Sequence, residues 1–292
     1  MSSDSEEDGG VEDWGDLAAD LACDDDSSDD AEPEPAPEPA PEPAALGVAR
    51  RGQLSHAEFE AEFRHRAPVL LAGFAQGWPA LSRWSSPPHL ASLLGQEVLV
   101  LRSPDGQRFL KRDCEQLRQP FHDVALQLFG PVPATPEAGR MYARAPLASG
   151  LRSEVDLSGL ETLVGGEVFK DANSGVWLGT AGNVTPLHYD LCHGFLIQVL
   201  GSKSVTYFEP DDYRCLYQRA ENPELSQVDL DAWRLGEDRE ELERKWPLFG
   251  DATPRTVRVE PGDCLYTPPC ASKPPPNRRG RSWEPDLFAS LT

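Results

Sequence analysis

The sequence predicts a mainly β domain, a sandwich or jelly roll of short strands fronted by helices and preceded by a disordered acidic tail. Three observations lead there. From about residue 175 to 267, short apolar, β-branched and aromatic runs recur, each with Gly or Pro close behind it. Ahead of them, apolar residues fall at helical spacing behind capping and stop signals. Residues 1–45 carry 17 Asp and Glu and no Lys or Arg, with too little apolar surface to offset the entropy of ordering them.

The elements follow in chain order. After the acidic, Ser-rich start, the run EPEPAPEPAPEPAA can build neither helix nor ladder, because Pro lacks the N–H and forces its predecessor toward extended backbone. It predicts a stiff, polyproline-like spacer. Trp14, Leu17 and Leu21 form a faint helical stripe that could mould onto a basic partner, and a solubilising tail is the plainer reading. Ser55 and Glu58 form a capping-box pattern, with Phe59 and Phe63 on one helical face. A short buried strand is expected within 68–74, a helix over 88–94 ending at Gly95, a strand over 97–101 leading to the turn at 103–106, and an amphipathic helix over 120–129. Strands are then expected at 176–180, 184–188, 195–200, 204–208, 256–259 and 264–267. The polar stretch 218–250 reads as an insertion, helical around 236–245. Residues 270–292 are Pro- and Arg-rich with no strand signal. The domains are therefore 1–48 as tail, 49–269 as the folded body, incomplete at its C-terminal end, and 270–292 as a divergent tail.

Charge narrows the function classes. The formal net charge is -22 at pH 7, yet beyond residue 45 there are 32 acidic against 27 basic residues. A nearly balanced body lacks the clustered positive charge that gripping phosphate requires, so direct nucleic-acid binding is not expected. No apolar run approaches the roughly 20 residues that cross a bilayer, so no membrane partner is expected. The acidic start is unlike a secretory signal, which places the chain in cytoplasm and/or nucleus. Six cysteines without a C-x-x-C pair fit reduced, buried thiols.

The chemistry concentrates in Thr185-Pro-Leu-His188-Tyr-Asp190. On a strand, residues i and i+2 share a face, so His188 and Asp190 would point together. An imidazole and a carboxylate, with a distant second His, form the facial triad that holds non-haem Fe(II) and leaves positions open. Taken alone, H-x-D is a weak signal, and a surface His beside a turn Asp is the better reading of it.

The surrounding motifs carry more. GNVTPLHYD, FLIQVLGSKSVTYFEPDDYRCLY, SQVDLD and VEPGDCLYTP, preceded by a helix and PVLLAGFAQGWPALSRW, together resemble a JmjC-type, cupin-fold 2-oxoglutarate oxygenase. Within that family they are most similar to the subgroup that includes the asparaginyl hydroxylase of hypoxia-inducible factor. The resemblance spans about residues 50–269. It implies a double-stranded β-helix (cupin or jelly roll), with Fe(II) as metal and 2-oxoglutarate as cosubstrate. Its metal ligands would be His188 and Asp190. Lys203 would pair with the distal carboxylate of 2-oxoglutarate, helped by the Thr185 hydroxyl, and Tyr142 would complete the pocket, a buried core tyrosine being the competing reading. An inward Lys on a strand is costly unless it meets an anion. Gly194 departs from the subgroup, which carries an asparagine there. The implied partner is a protein or peptide substrate, hydroxylated on a side chain, and the oligomeric state is left open.

One departure bears on activity. The resemblance asks for a second His five residues past Pro268, where this chain has Lys273, and an ammonium has no lone pair for iron. All six histidines lie at or before His193, which itself is an alternative ligand. The family's last strands are also missing, so the change at Cys270 reads as a splice variant or gene-model error on an oxygenase, or as the end of a non-catalytic pseudoenzyme or chromatin-associated binding module.

Overall fold

The computed structural model describes residues 47–95, 97–110, 113–129, 140–147, 149–168, 174–236, 238–269 and, for backbone, 286–291. The acidic and Pro-Glu tail thus falls outside the described residues, apart from its last two.

The chain enters through β1 (Ala49–Arg51) and a capped turn, α1 (His56–Glu58), continued by a π-helical turn, Phe59–Phe63. The predicted capping box is present: the Ser55 hydroxyl accepts from the Glu58 N–H, and the Ser55 N–H donates to the Glu58 carboxylate at 2.9 Å. Phe59 and Phe63 are both buried. β2 (Val69–Leu71) follows, then α2 (Pro79–Arg83) and α3 (Pro87–Leu94), each with Pro in its first turn, where a missing N–H costs nothing. Gly95, at φ 77, ends α3. β3 (Glu97–Arg102), β4 (Glu115–Pro120), α4 (Phe121–Phe129) and β5 (Tyr142–Pro146) lead to α5 (Ser149–Arg152) and α6 (Ser158–Val164). The later strands are β6 (Ser174–Gly179), β7 (Gly194–Leu200), β8 (Lys203–Tyr207), β9 (Arg255–Val259), β10 (Cys264–Thr267) and β11 (Asp286–Leu291). Between β8 and β9 the insertion carries α7 (Leu230–Leu235) and α8 (Arg239–Lys245). No helix among the described residues is long and apolar enough to cross a membrane.

Among the described residues, nine strands form one sheet in the order β1-β2-β10-β7-β11-β6-β5-β3-β4, and β8 and β9 form a separate ribbon. The period of two sorts side chains to its faces. Val69 and Leu71, Phe195, Ile197 and Val199, and Cys264 and Tyr266 join the large core under the helices, with Phe59, Trp84, Leu90 and Phe121. Their alternates Leu70, Leu196 and Leu265 pack instead with Val205, Tyr207, Val257 and Val259 of the ribbon. This is a cupin fold with helices over one face, so the chain is mixed α/β. The expectation of a mainly β chain underweighted those helices, whose turns are too short to show strong periodicity.

Two further expectations change. Residues 184–188 are not a strand: only Val184 and His188 make isolated bridges, to Arg108 and Leu225. Pro186, with no N–H to give, interrupts any ladder there. The segment 270–292, read as having no strand signal, contributes β11. Its six residues, DLFASL, lie between β6 and β7 and run parallel to both. Thr267 of β10 pairs with Gly194 on one side of β7, and Asp286 pairs with the same residue on the other. The end of β10 and the start of β11 therefore lie two strand spacings apart, about 10 Å. Without β11, β6 and β7 would each leave an unpaired edge in mid-sheet.

Candidate functional site

The segment 184–190 has no sheet to hold it and is pinned from two sides. On one side, Phe109 N–H donates to the Val184 carbonyl at 2.8 Å and Val184 N–H to the Gln107 carbonyl at 3.0 Å. On the other, Tyr189 N–H donates to Glu224 at 3.0 Å, and Ser226 N–H to Leu187 at 2.9 Å. Strand geometry therefore does not bring His188 and Asp190 together, as was expected. The turn does, placing His188 Nε2 3.9 Å from Asp190 Oδ1.

The His188 tautomer follows from its other nitrogen. Nδ1 lies 2.7 Å from the Pro186 carbonyl, which can only accept, so Nδ1 carries the hydrogen. Nε2 is the nitrogen nearer Asp190, and in the neutral ring it carries the lone pair through which an imidazole ligates a metal. His188 is one-third exposed and Asp190 half exposed. No group of three or more His, Cys, Asp or Glu side chains able to hold a metal occurs among the described residues.

The ribbon supplies the second pair. On β8, Lys203, Val205 and Tyr207 share a face. Lys203 Nζ donates to the Tyr142 hydroxyl at 3.3 Å and lies 5.6 Å from that ring's centroid. The Tyr142 ring is locked, stacked on Trp177 at 4.9 Å and edge-on to Phe109 at 5.9 Å. Tyr142 is buried in a small core cluster, as the core reading expects, and its hydroxyl reaches Lys203. Thr185 is exposed, and its hydroxyl makes no hydrogen bond among the described residues.

Tyr207, close to Asp190, and Thr267 were not singled out from sequence. Their hydroxyls lie 2.6 Å apart, joining the ribbon to the end of β10. Burial pushes the Tyr207 phenol up, and the nearby Asp190 carboxylate adds to it. The signal available was the period of two along β8, which puts Tyr207 on the face of Lys203.

His193, the alternative ligand, is committed elsewhere. It is buried, its Nδ1 lies 2.7 Å from the Tyr266 hydroxyl, and its ring packs against His65 at 4.3 Å. Tyr266 belongs to the core under the helices, whereas Tyr207 packs on the ribbon face. Burial, with the His65 and Arg64 charges, lowers His193 to about 3.

Known proteins share this arrangement of sequence. The profile of the cupin-like domain family matches residues 55–270. Jumonji C domain-containing protein 5 of Drosophila melanogaster is 27% identical over 222 residues, covering 73% of this chain and 52% of that protein. Lysine-specific demethylase JMJ30 of Arabidopsis thaliana is 29% identical over 208 residues, 69% of this chain and 45% of its own. The human bifunctional peptidase and (3S)-lysyl hydroxylase JMJD7 is 27% identical over 226 residues, 69% of this chain and 70% of its own. The chain spans about half the length of the first two. A match over most of the folded body, joined to the sheet, the ribbon and the H-x-D turn between them, means that the chain belongs to the cupin-like domain family as a JmjC-type member.

Proposed function

We propose that the chain is a JmjC-type Fe(II)- and 2-oxoglutarate-dependent dioxygenase that hydroxylates a side chain of a protein or peptide, with its activity impaired by an incomplete ligand set. The observation that carries this is the pairing of His188 and Asp190: the Pro186 carbonyl occupies Nδ1, and Nε2 is left 3.9 Å from the Asp190 carboxylate. That donor set, one neutral imidazole and one carboxylate, suits two of the three protein positions around non-haem iron. The two donors stand 3.9 Å apart, and Asp190, half exposed, has room to turn toward an ion that His188 would share. The relatives named as a lysine demethylase and a lysyl hydroxylase support a protein substrate.

When bound, the metal and keto acid would supply dioxygen activation coupled to decarboxylation. The chain's own residues hold and orient. His188 and Asp190 would anchor the iron. Lys203 would pair with the distal carboxylate of 2-oxoglutarate, with Thr185 as a further donor. Tyr142, its ring immobilised, holds the Lys203 ammonium in place, so less freedom is lost when the anion arrives. The likeness to the asparaginyl hydroxylase subgroup is the finer part of the proposal. At Gly194, where that subgroup has asparagine, an added Cβ would meet only the Thr267 Cβ at 3.8 Å, so the departure is not forced by crowding.

The second reading is a cupin-fold pseudoenzyme or chromatin-associated binding module. It is favoured by the missing third donor, since every His in the chain lies at or before 193 and His193 is buried against Tyr266. The test is iron-dependent succinate release under fixed iron and 2-oxoglutarate. The unmodified chain should release little. Replacing residues 269–292 with a segment that carries a tryptophan-histidine strand and its own closing strand should restore release, and the same replacement in a His188→Ala background should not. Robust release by the unmodified chain would overturn the impairment, and no release after the replacement would favour the pseudoenzyme.

A further inference from the structure

We propose that Arg108 is a positioning residue that locks together the two segments pinning the His188–Asp190 turn. The inference rests on reading that turn as the metal site. With no regular ladder, the turn is only as well placed as its two supports, residues 107–109 and 224–226. These supports come from distant parts of the chain, the loop after β3 and the insertion after β8. Something has to couple them.

Arg108 does so from within the first support. One guanidinium nitrogen donates to Asp105 at 2.8 Å and another to Asp229. Both anchors are themselves fixed. Asp105 accepts from the Gln107 and Arg108 N–H groups at 2.9 and 2.8 Å and from the Ser103 hydroxyl at 2.7 Å. Asp229 caps α7 by accepting from Ala232 N–H at 3.1 Å. A planar fork between two immobile carboxylates resists shear in a way that a single point charge does not.

Charge sharpens the dependence. Asp105, Asp229 and the half-buried Asp231 all act on this one guanidinium, with Arg234 near Asp231. Removing Arg108 leaves these carboxylates facing one another, and their repulsion would drive the two supports apart. A second pair, Arg219 to Asp113 at 3.4 Å, joins the same two parts of the chain, so the expected effect is local loosening and not collapse.

The test reads two amides that report the two supports, Val184 and Tyr189. In Arg108→Ala their hydrogen exchange should quicken about three- to tenfold, the range of a partly exposed, charge-assisted pair, with β7 and β10 amides unchanged. Arg108→Lys should recover part of the loss. Asp229→Asn, which keeps the helix cap and deletes the charge, should show a smaller increase. Anaerobic titration with Fe(II) alone should show affinity weakened by a similar factor in Arg108→Ala. Unchanged exchange at Val184 and Tyr189, or an equal rise across β7, would overturn the proposal. Faster exchange in a protein that binds no Fe(II) even with Arg108 present would leave the strut standing and overturn the metal-site reading.

Discussion

Replacing Glu154 tests the most heavily bonded carboxylate of the fold. Glu154 is 5% exposed and lies between α5 and α6. One of its oxygens accepts from the Trp84 indole N–H at 2.8 Å, the other from Arg83 at 3.0 Å, and His89 Nε2 lies 3.0 Å from both. Trp84 is fully buried, so without Glu154 its N–H has no water to turn to. Leaving that donor unsatisfied costs about 1–3 kcal/mol, and losing the bond from His89 to a charged acceptor adds a comparable amount. Arg83 is 59% exposed and adds little. Glu154→Leu should therefore destabilise by about 3–5 kcal/mol. Glu154→Gln keeps an acceptor oxygen for Trp84 and should cost about 1–2 kcal/mol. Urea unfolding at pH 7, with an unchanged slope, measures both. The pH dependence gives a second reading. Burial works to raise the Glu154 carboxyl, but the hydrogen bonds from His89, Arg83 and Trp84 outweigh it and hold the group below its usual 4.5. A carboxyl depressed in the folded state adds stability that is fully present above pH 4.5 and is lost as pH falls through the folded value. Glu154→Gln should remove that part of the acid slope. A Leu variant within about 1 kcal/mol of the parent, or a Gln variant as costly as Leu, would refute the reasoning.

Two other outcomes follow from the site and the core. Lys203→Ala should weaken 2-oxoglutarate binding by about 2–5 kcal/mol in calorimetry, whereas Arg102→Ala, at the exposed end of β3 and paired loosely with Glu115 at 3.4 Å, should not; equal affinities would remove Lys203 from the site. His193 stays neutral in the fold down to about pH 3, while the unfolded chain takes up its proton near 6.5, so acidification across that window should lower stability and His193→Gln should flatten the decline. An unchanged pH profile in His193→Gln would mean that the ring is not buried as neutral imidazole.

Much of the fold, and the residues proposed for the site, were legible in the residues alone. The capping box at Ser55, the stop at Gly95 and the strands near 195–200 and 264–267 depend on local chemistry: a side chain meeting its own backbone, a glycine tolerating positive φ, apolar residues alternating over four or more positions. His188, Asp190 and Lys203 stand out in the sequence because spacing and neighbours single them out, and in the structure His188 lies beside Asp190 and Lys203 beside Tyr142. Periodicity says which face a residue shows and nothing about which strand lies alongside. Hence β11, a six-residue strand after a Pro-rich run, was invisible until β6 and β7 offered it two edges, and its parallel direction follows from where β10 ends. For the same reason the sequence by itself could determine that an imidazole and a carboxylate stand two residues apart, while the tertiary structure alone decided what holds them. Pro186 denies that turn a ladder of its own, so its position is set by hydrogen bonds from residues 107–109 and 224–226, which only folding brings to its two sides.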